Sequence, residues 1–254
     1  MLRMQDVTVT FPSGKALDRF SLEVPAGDVV AVMGPSGCGK STALRSIMRL
    51  VEPDSGRVLW MGEDVMAMGQ SQLERFRQGV GLVFQRSNLI SRLNVVGNVM
   101  LPMVAAGRHH DDAYGLSMEA LAEVGMDTRA DEDVRGLSGG EMQRVAIARA
   151  IADHPSLILW DEPTASLDPT LVVDVLSLME KLSRTLEATM LVVTHEIGFA
   201  LRAAQRIVLM DKGSLVEQGP PEAVLSEPVS DVGRRYARAL AYAAAPLKEN
   251  GVVL

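Results

Sequence analysis

A chain of 254 residues with 47% hydrophobic content can bury a substantial core as one generous domain, with room for a subdomain. Its 25 Lys and Arg against 32 Asp and Glu give a net charge of −7, which argues against nucleic acid as a partner. Cys38 is the one cysteine, so an internal disulfide is excluded and a reducing compartment fits.

The opening MLRMQDVTVTF has no basic leader followed by an apolar stretch, so no signal peptide is expected. No apolar run approaches the ~20 residues of a membrane-spanning helix, so a soluble chain is expected, with any membrane role supplied by a partner. The first third alternates apolar and polar residues in MQDVTVTF, SLEVPAGDVVAVM and GRVLWMGED, between the turn signals PSGK, PAGD and PDSG. These runs predict short strands. Leu44, Ile47 and Met48 recur at helical spacing after Lys40, and GLVFQ at 81–85 predicts another buried strand. From about 86 to 155 the pattern is largely helical, as in SMEALAEVG and GGEMQRVAIARAIADH. SLILWDE and TMLVVTHE are then apolar throughout, as strands of a buried parallel sheet are. RIVLMDKGSLVEQG predicts a closing hairpin around Lys212 and Gly213, and the Ala-rich end after Pro228 finishes in LKENGVVL, expected to fray.

Directly after the strand VVAVM, the stretch GPSGCGKST spans Gly34, Pro35, Ser36, Gly37, Cys38, Gly39, Lys40, Ser41 and Thr42. It fits G-x-x-x-x-G-K-[ST]. Glycine lets successive backbone N–H groups turn toward an anion, and the following helix adds its positive N-terminal end. Lys40 would neutralise terminal phosphates and the Ser41 hydroxyl would sit on Mg²⁺, so the stretch predicts a loop around a nucleotide triphosphate. Cys38 occupies a variable position of that loop, where alkylation would obstruct the nucleotide.

In LILWDEPTASLDP, Asp161 and Glu162 close an apolar strand, and ligands bind at the carboxyl ends of parallel strands. Asp161 is expected to hold Mg²⁺ through water and Glu162 to align or deprotonate the attacking water. His195 ends TMLVVTH and is expected to reach the γ-phosphate. Gln85 ends GLVF, where its amide would reach the metal or the water. His109, His110 and His154 lack such context and are expected at the surface.

LSGGEMQRVAIARA begins with Ser138, Gly139, Gly140 and Glu141 at the start of a helix. A hydroxyl, free N–H groups and a helix N-terminus make a second anion site. One phosphate chain does not need two such sites in one subunit, so each site is expected to complete the pocket of a second copy.

These motifs, in this order, resemble those of the ATP-binding subunit of an ATP-binding cassette (ABC) transporter, over nearly the whole chain from Met4 to about Glu227. They comprise Walker A (Gly34–Thr42), Q-loop (Gln85), signature (Leu137–Glu141), Walker B (Leu157–Asp161), catalytic Glu162, D-loop (Ser166–Asp168) and H-loop (His195). The resemblance implies an α/β fold: a P-loop NTPase (RecA-like) core, an N-terminal antiparallel β-subdomain and an inserted α-helical subdomain. The expected boundaries are 1–230 for the ATP-binding domain, with core and β-subdomain at about 1–85 and 156–230, the helical subdomain at about 86–155, and a tail at 231–254. Phe11 in VTFPSGKAL stands where the family stacks an aromatic on adenine, worth roughly 1–3 kcal/mol by analogy with stacking on nucleic-acid bases, and Ala16 is expected to touch the ring. Two subunits would close head to tail over two ATP molecules, with Ser138, Gly139, Gly140, Glu141 and Asp168 reaching the nucleotide and Ser41, Gln85 and Asp161 holding Mg²⁺. Glu141 replaces the frequent Gln, ASLD replaces SALD, and Trp160 is large for its strand and implies a roomy neighbour; none of these removes a reacting group.

The resemblance further implies separately encoded membrane permease subunits. They would dock in a cleft near Gln85 and RSNLISRLNVVGNVMLPM, on the cytoplasmic side of the inner membrane. VTHEIGFA, VEQGPPEAVL and NLISRLNVVGNVMLP resemble subunits for polar amino acid uptake, which would work with an extracytoplasmic solute-binding protein. No extra C-terminal domain of the kind that similar methionine and sugar importers carry is expected, which favours a small polar solute. LSGGE is frequent in lipoprotein-release and efflux relatives, so that alternative stays open beside a soluble ABC ATPase that acts without a membrane.

Overall fold

The computed structural model describes residues 1–244. The alternating N-terminal runs form β1 (Leu2–Phe11) and β2 (Gly14–Val24), and the apolar run before the glycines forms β3 (Val29–Met33). Helix α1 (Lys40–Ile47) follows, then β4 (Ser55–Trp60), β5 (Glu63–Asp64), α2 (Gln70–Gln78) and β6 (Val80–Val83). The helical stretch resolves into α3 (Val95–Ala105), α4 (His110–Glu123) and α5 (Gly139–Ile151). Then come β7 (Leu157–Asp161), α6 (Pro169–Thr185), β8 (Thr189–Val193), α7 (Ile197–Ala203), β9 (Arg206–Asp211), β10 (Ser214–Gly219), α8 (Pro221–Ser226) and α9 (Asp231–Ala244).

Two sheets organise these elements. One is four-stranded and antiparallel, in the order β2-β1-β4-β5. The other has the order β10-β9-β3-β8-β7-β6; its members are parallel except β10, which forms a hairpin with β9 across Lys212 and Gly213. Every residue of β3, β7 and β8 is buried, because the six-stranded sheet is covered on both faces. Alternate residues serve alternate cores. Val30, Val32, Leu157 and Leu191 pack with the antiparallel sheet and α1, whereas Ala31, Met33, Ile158 and Val192 pack with the helical layer and with α6 and α7. This is the expected α/β architecture, with a mainly parallel core sheet, an antiparallel β-sheet and an inserted helical layer.

Trp160 is fully buried on β7 between Val83 and Val192 on the flanking strands, so the room it needs comes from two smaller neighbours. The helix α2 carries no strong sequence signal: in QSQLERFRQ only Leu73 and Phe76 are buried. The stretch grouped as a tail from 231 onward begins instead with α9, whose Val232 is buried and whose Tyr236 and Leu240, at four-residue spacing, pack against the core. The expected fraying of LKENGVVL lies outside the described residues. Among the described residues, no helix is long and apolar enough to cross a membrane.

Asn98 fixes the loop that enters the helical layer. It is 1% exposed; its Oδ1 accepts from the Ile90 N–H (2.6 Å) and its Nδ2 donates to the carbonyls of Ile90, Leu93 and Asn94 (3.1, 3.3 and 3.0 Å). Substituting Asn98→Ala removes these four bonds; the Ile90 and Asn94 carbonyls keep backbone donors, but the Ile90 N–H loses its acceptor, and stability is expected to fall by about 1–3 kcal/mol in urea unfolding. A change within error would show that the loop holds itself.

Candidate functional site

Parallel pairing in register decides where the chemistry lies. Val32 pairs with Val193, and Val193 with Asp161, so the segments leaving β3, β8 and β7 emerge at one edge of the sheet. A cleft of about 280 Å³ opens there, lined by Phe11, Ala16, Ser36, Gly37, Gly39, Lys40, Ser41, Thr42 and Glu162. Phe11 is 40% exposed at the cleft, so part of its side chain is open to a stacking partner. Gly39 is the N-cap of α1 at φ 108°, and a Cβ there would stand 2.2 Å from the Ala16 carbonyl. Only glycine permits this approach of loop to β2.

Two expected loop residues face elsewhere. Pro35 lies beside α9, in a hollow with Val232, Tyr236 and Ala239, while its carbonyl accepts from Lys40 Nζ at 3.2 Å. The Cys38 side chain is buried among apolar residues of the core, with its thiol pushed up by burial. It does not line the cleft, so a reagent would have to reach a buried thiol before it could obstruct the nucleotide.

Lys40 is 4% exposed, and its Nζ donates to the Gly34 carbonyl (2.9 Å) and pairs with Glu162 Oε1 (3.3 Å). His195 Nε2 lies 3.0 Å from the same Oε1. Glu162 therefore sits between two nitrogen groups that can serve phosphate oxygens. Its backbone is left-handed, with φ 46°, and its N–H donates to Val193 O at 2.9 Å. That conformation, uncommon for a non-glycine residue, turns the carboxylate back over the loop. Ser41 Oγ donates to Asp161 Oδ1 at 2.7 Å, and burial raises the Asp161 carboxyl above its ordinary range. These are hard oxygen donors of the kind Mg²⁺ takes.

The signature residues line a different surface. Ser138, Gly139, Gly140, Glu141 and Asp168 are absent from the cleft. Ser138 caps α5: its N–H and hydroxyl both donate to Glu141 Oε2 (2.8 Å each), and Arg129 pairs with the other carboxylate oxygen. The hydrogen bonds from Ser138, then the Arg129 pairing, hold the Glu141 carboxyl below its ordinary range. A Cβ on Gly140 would touch Leu171, so this helix end packs directly on the start of α6, where Asp168 is the N-cap. The sequence-distant signature and D-loop are thus neighbours.

Gln85 is exposed, just beyond β6, and its carbonyl accepts from Ser166 Oγ at 2.8 Å. Sequence reasoning missed Gln143, which is 1% exposed and donates to Phe84 O at 3.2 Å, and Arg149, which donates to the carbonyls of Ser87 (2.7 Å) and Asn88 (3.0 Å). Gln143 shares an i, i+4, i+7 face with buried Ile147 and Ala150. A polar residue on that face is the signal that marks it. His109, His110 and His154 are exposed, as expected.

Lys40→Ala is expected to abolish ATP binding in equilibrium dialysis; unchanged affinity would remove the loop from the site. Native Cys38 should react with iodoacetamide far more slowly than the urea-unfolded chain, and Cys38→Ala should retain nucleotide binding. Equal labelling rates would contradict its burial.

Known proteins are similar to this chain in sequence and fold. A family model described as ABC transporter matches residues 17–165. The glutamate transport ATP-binding protein GluA of Corynebacterium efficiens is 43% identical over 237 residues, covering 93% of this chain and 97% of that protein. The methionine import ATP-binding protein MetN of Caulobacter vibrioides is 41% identical over 240 residues, covering 94% of this chain and 72% of that protein. A dimeric post-hydrolysis structure of the ATP-binding cassette MJ0796 with ADP and Pi superposes with a TM-score of 0.78 at 33% identity, covering 87% of this chain and 99% of that one. The cbiO1 structure from Clostridium perfringens, part of an ABC transporter complex, gives 0.81 at 26% identity, covering 96% and 95%. The chain belongs to the ABC transporter family, as an ATP-binding cassette.

Proposed function

We propose that this cassette hydrolyses ATP to power an ABC importer of a small polar solute, of the amino acid class. The observation that carries the catalytic part is the division of the site. The cleft is lined by the phosphate loop and Glu162, with His195 Nε2 3.0 Å from the Glu162 carboxylate, while Ser138, Gly139, Gly140 and Glu141 at the signature end of α5 are not among its walls. A second copy, packed head to tail, would bring its Ser138 and Gly140 to the phosphates and its Asp168 nearby, so two chains make two complete sites. The dimeric MJ0796 cassette supports that arrangement.

Within such a site, Phe11 stacks on the base, and the loop N–H groups, Lys40 and His195 donate to phosphate oxygens. Glu162 takes the proton of the attacking water. Ser41, Asp161 and Gln85 would hold Mg²⁺, which neutralises charge on the phosphate chain. The GluA name, of glutamate transport, and the MetN name, of methionine import, support the solute class. That work needs a permease and a solute-binding protein as partners and places the cassette on the cytoplasmic side of the inner membrane.

A groove of about 300 Å³ between core and helical layer suits the permease. Arg77, Leu82, Pro102, Met103, Ala106 and Arg149 are among its walls, and Leu101 and Val104 of α3 are exposed close by in sequence.

Glu162→Gln should bind ATP yet turn over about 10²–10⁴-fold more slowly, the scale of a lost general base. It should also accumulate as an ATP-bound dimer by light scattering. Normal turnover, or a strictly monomeric ATP complex, would sink the proposal. Ala106→Glu should leave ATP hydrolysis by the isolated cassette intact while abolishing co-purification with its permease; retained capture would move the docking site elsewhere.

A further inference from the structure

The C-terminal helix carries a side chain into the nucleotide site that none of the motifs includes. The two residues that lead into this helix are clamped by Glu217 of β10, a buried carboxylate that accepts from the N–H groups of Val229 and Ser230 (2.9 Å each) and from Ser230 Oγ. Ser230 Oγ in turn accepts from the Gly233 N–H at 2.9 Å. A Cβ on Gly233 would stand 2.4 Å from Glu217 Oε2, so a larger residue would push helix and clamp apart. Buried Val232 continues the anchor, and one turn later the Tyr236 ring packs against the core.

The Tyr236 hydroxyl oxygen accepts from the Gly34 N–H at 3.1 Å and lies 3.4 Å from His195 Nδ1. Burial holds this phenol above its ordinary range, so it keeps its proton. A phenol has one proton to give. With Gly34 as the donor on one side, that proton is free for the histidine. On the opposite edge of the imidazole, Nε2 faces Glu162 Oε1 at 3.0 Å, and a carboxylate oxygen only accepts. In the neutral ring Nε2 therefore carries the hydrogen and Nδ1 is the bare nitrogen, matched to the Tyr236 O–H. The 3.4 Å spacing is long, as catalytic hydrogen bonds are before the nucleotide closes the site.

We propose that Tyr236 is a positioning residue of the hydrolytic site: its hydroxyl seats the first N–H of the phosphate loop and sets His195 in the Nε2–H tautomer, so that the edge facing the nucleotide is a donor. This rests on the hydrolytic reading above, in which His195 donates to phosphate. The helix α9 then joins the ATPase machinery, and its clamp at Glu217 ties the β9–β10 hairpin to it.

The test uses the full chain labelled with ¹⁵N-histidine and long-range proton–nitrogen NMR, first without nucleotide. The His195 signals are identified among the four histidines by their loss in His195→Ala. The wild-type protein should show a bare, hydrogen-bonded Nδ1 and a protonated Nε2. Tyr236→Phe keeps the ring packing, so its melting temperature should stay close to wild type. Its Nδ1 should lose the hydrogen-bonded shift and the tautomers should mix, while kcat for ATP hydrolysis falls about five- to tenfold, the value of one lost hydrogen bond, and KM stays nearly constant. An Nδ1–H tautomer in the wild type would overturn the proposal. So would Tyr236→Phe with unaltered His195 nitrogen shifts, whether or not kcat falls. A wild-type chain that fails to hydrolyse ATP would sink the hydrolytic reading, while the NMR result would still report on the hydroxyl.

Discussion

In-register pairing of β3, β8 and β7 is the constraint on which the rest depends. Parallel strands start and stop together only when their ladders are aligned, and here Val32, Val193 and Asp161 share one level of the sheet. The loop after β3, the carboxylates at the end of β7 and the histidine after β8 therefore meet within hydrogen-bond reach, although more than 150 residues separate Lys40 from His195. A slip of one residue would exchange the faces of the slipped strand and withdraw its functional residue from the cleft.

Each half of the site satisfies itself within the single chain. Lys40 and His195 both face Glu162, and the Ser138 hydroxyl and N–H both face Glu141. Both arrangements set polar groups that can serve an anion against a carboxylate. A phosphate chain held between two copies would compete for the same donors, so assembly exchanges internal hydrogen bonds for intermolecular ones. The gain from such an exchange is modest per bond, which suits the proposed dimer, whose two copies would separate after each turnover.

The helical layer is joined to the catalytic edge through backbone carbonyls. Gln143 of α5 holds Phe84, Ser166 holds Gln85, and Arg149 holds Ser87 and Asn88. The segment after β6 is thereby bound both to the signature helix and to the D-loop. It also leads, through Asn98, into the α3 side of the groove proposed for the permease. These bonds form a contiguous route from that groove to the signature helix and the D-loop, without long-range electrostatics.

The amino-acid sequence alone determined the phosphate loop, the Asp161–Glu162 pair, His195, the signature turn and the alternation of strand and helix. Each is written in glycine spacing, a capping pattern or a hydrophobic period a few residues long, and such signals survive without knowledge of neighbours. The overall α/β architecture followed from the same local signals and their family resemblance. Only the tertiary structure decided that Cys38 turns into the core, that Gln85 offers its carbonyl to Ser166, that α2 forms on just two buried side chains, and that the supposed tail starts with a helix carrying Tyr236. These outcomes depend on which surfaces meet. The Gly34 N–H and Glu217 are far apart in the chain, and folding alone makes them partners of one helix.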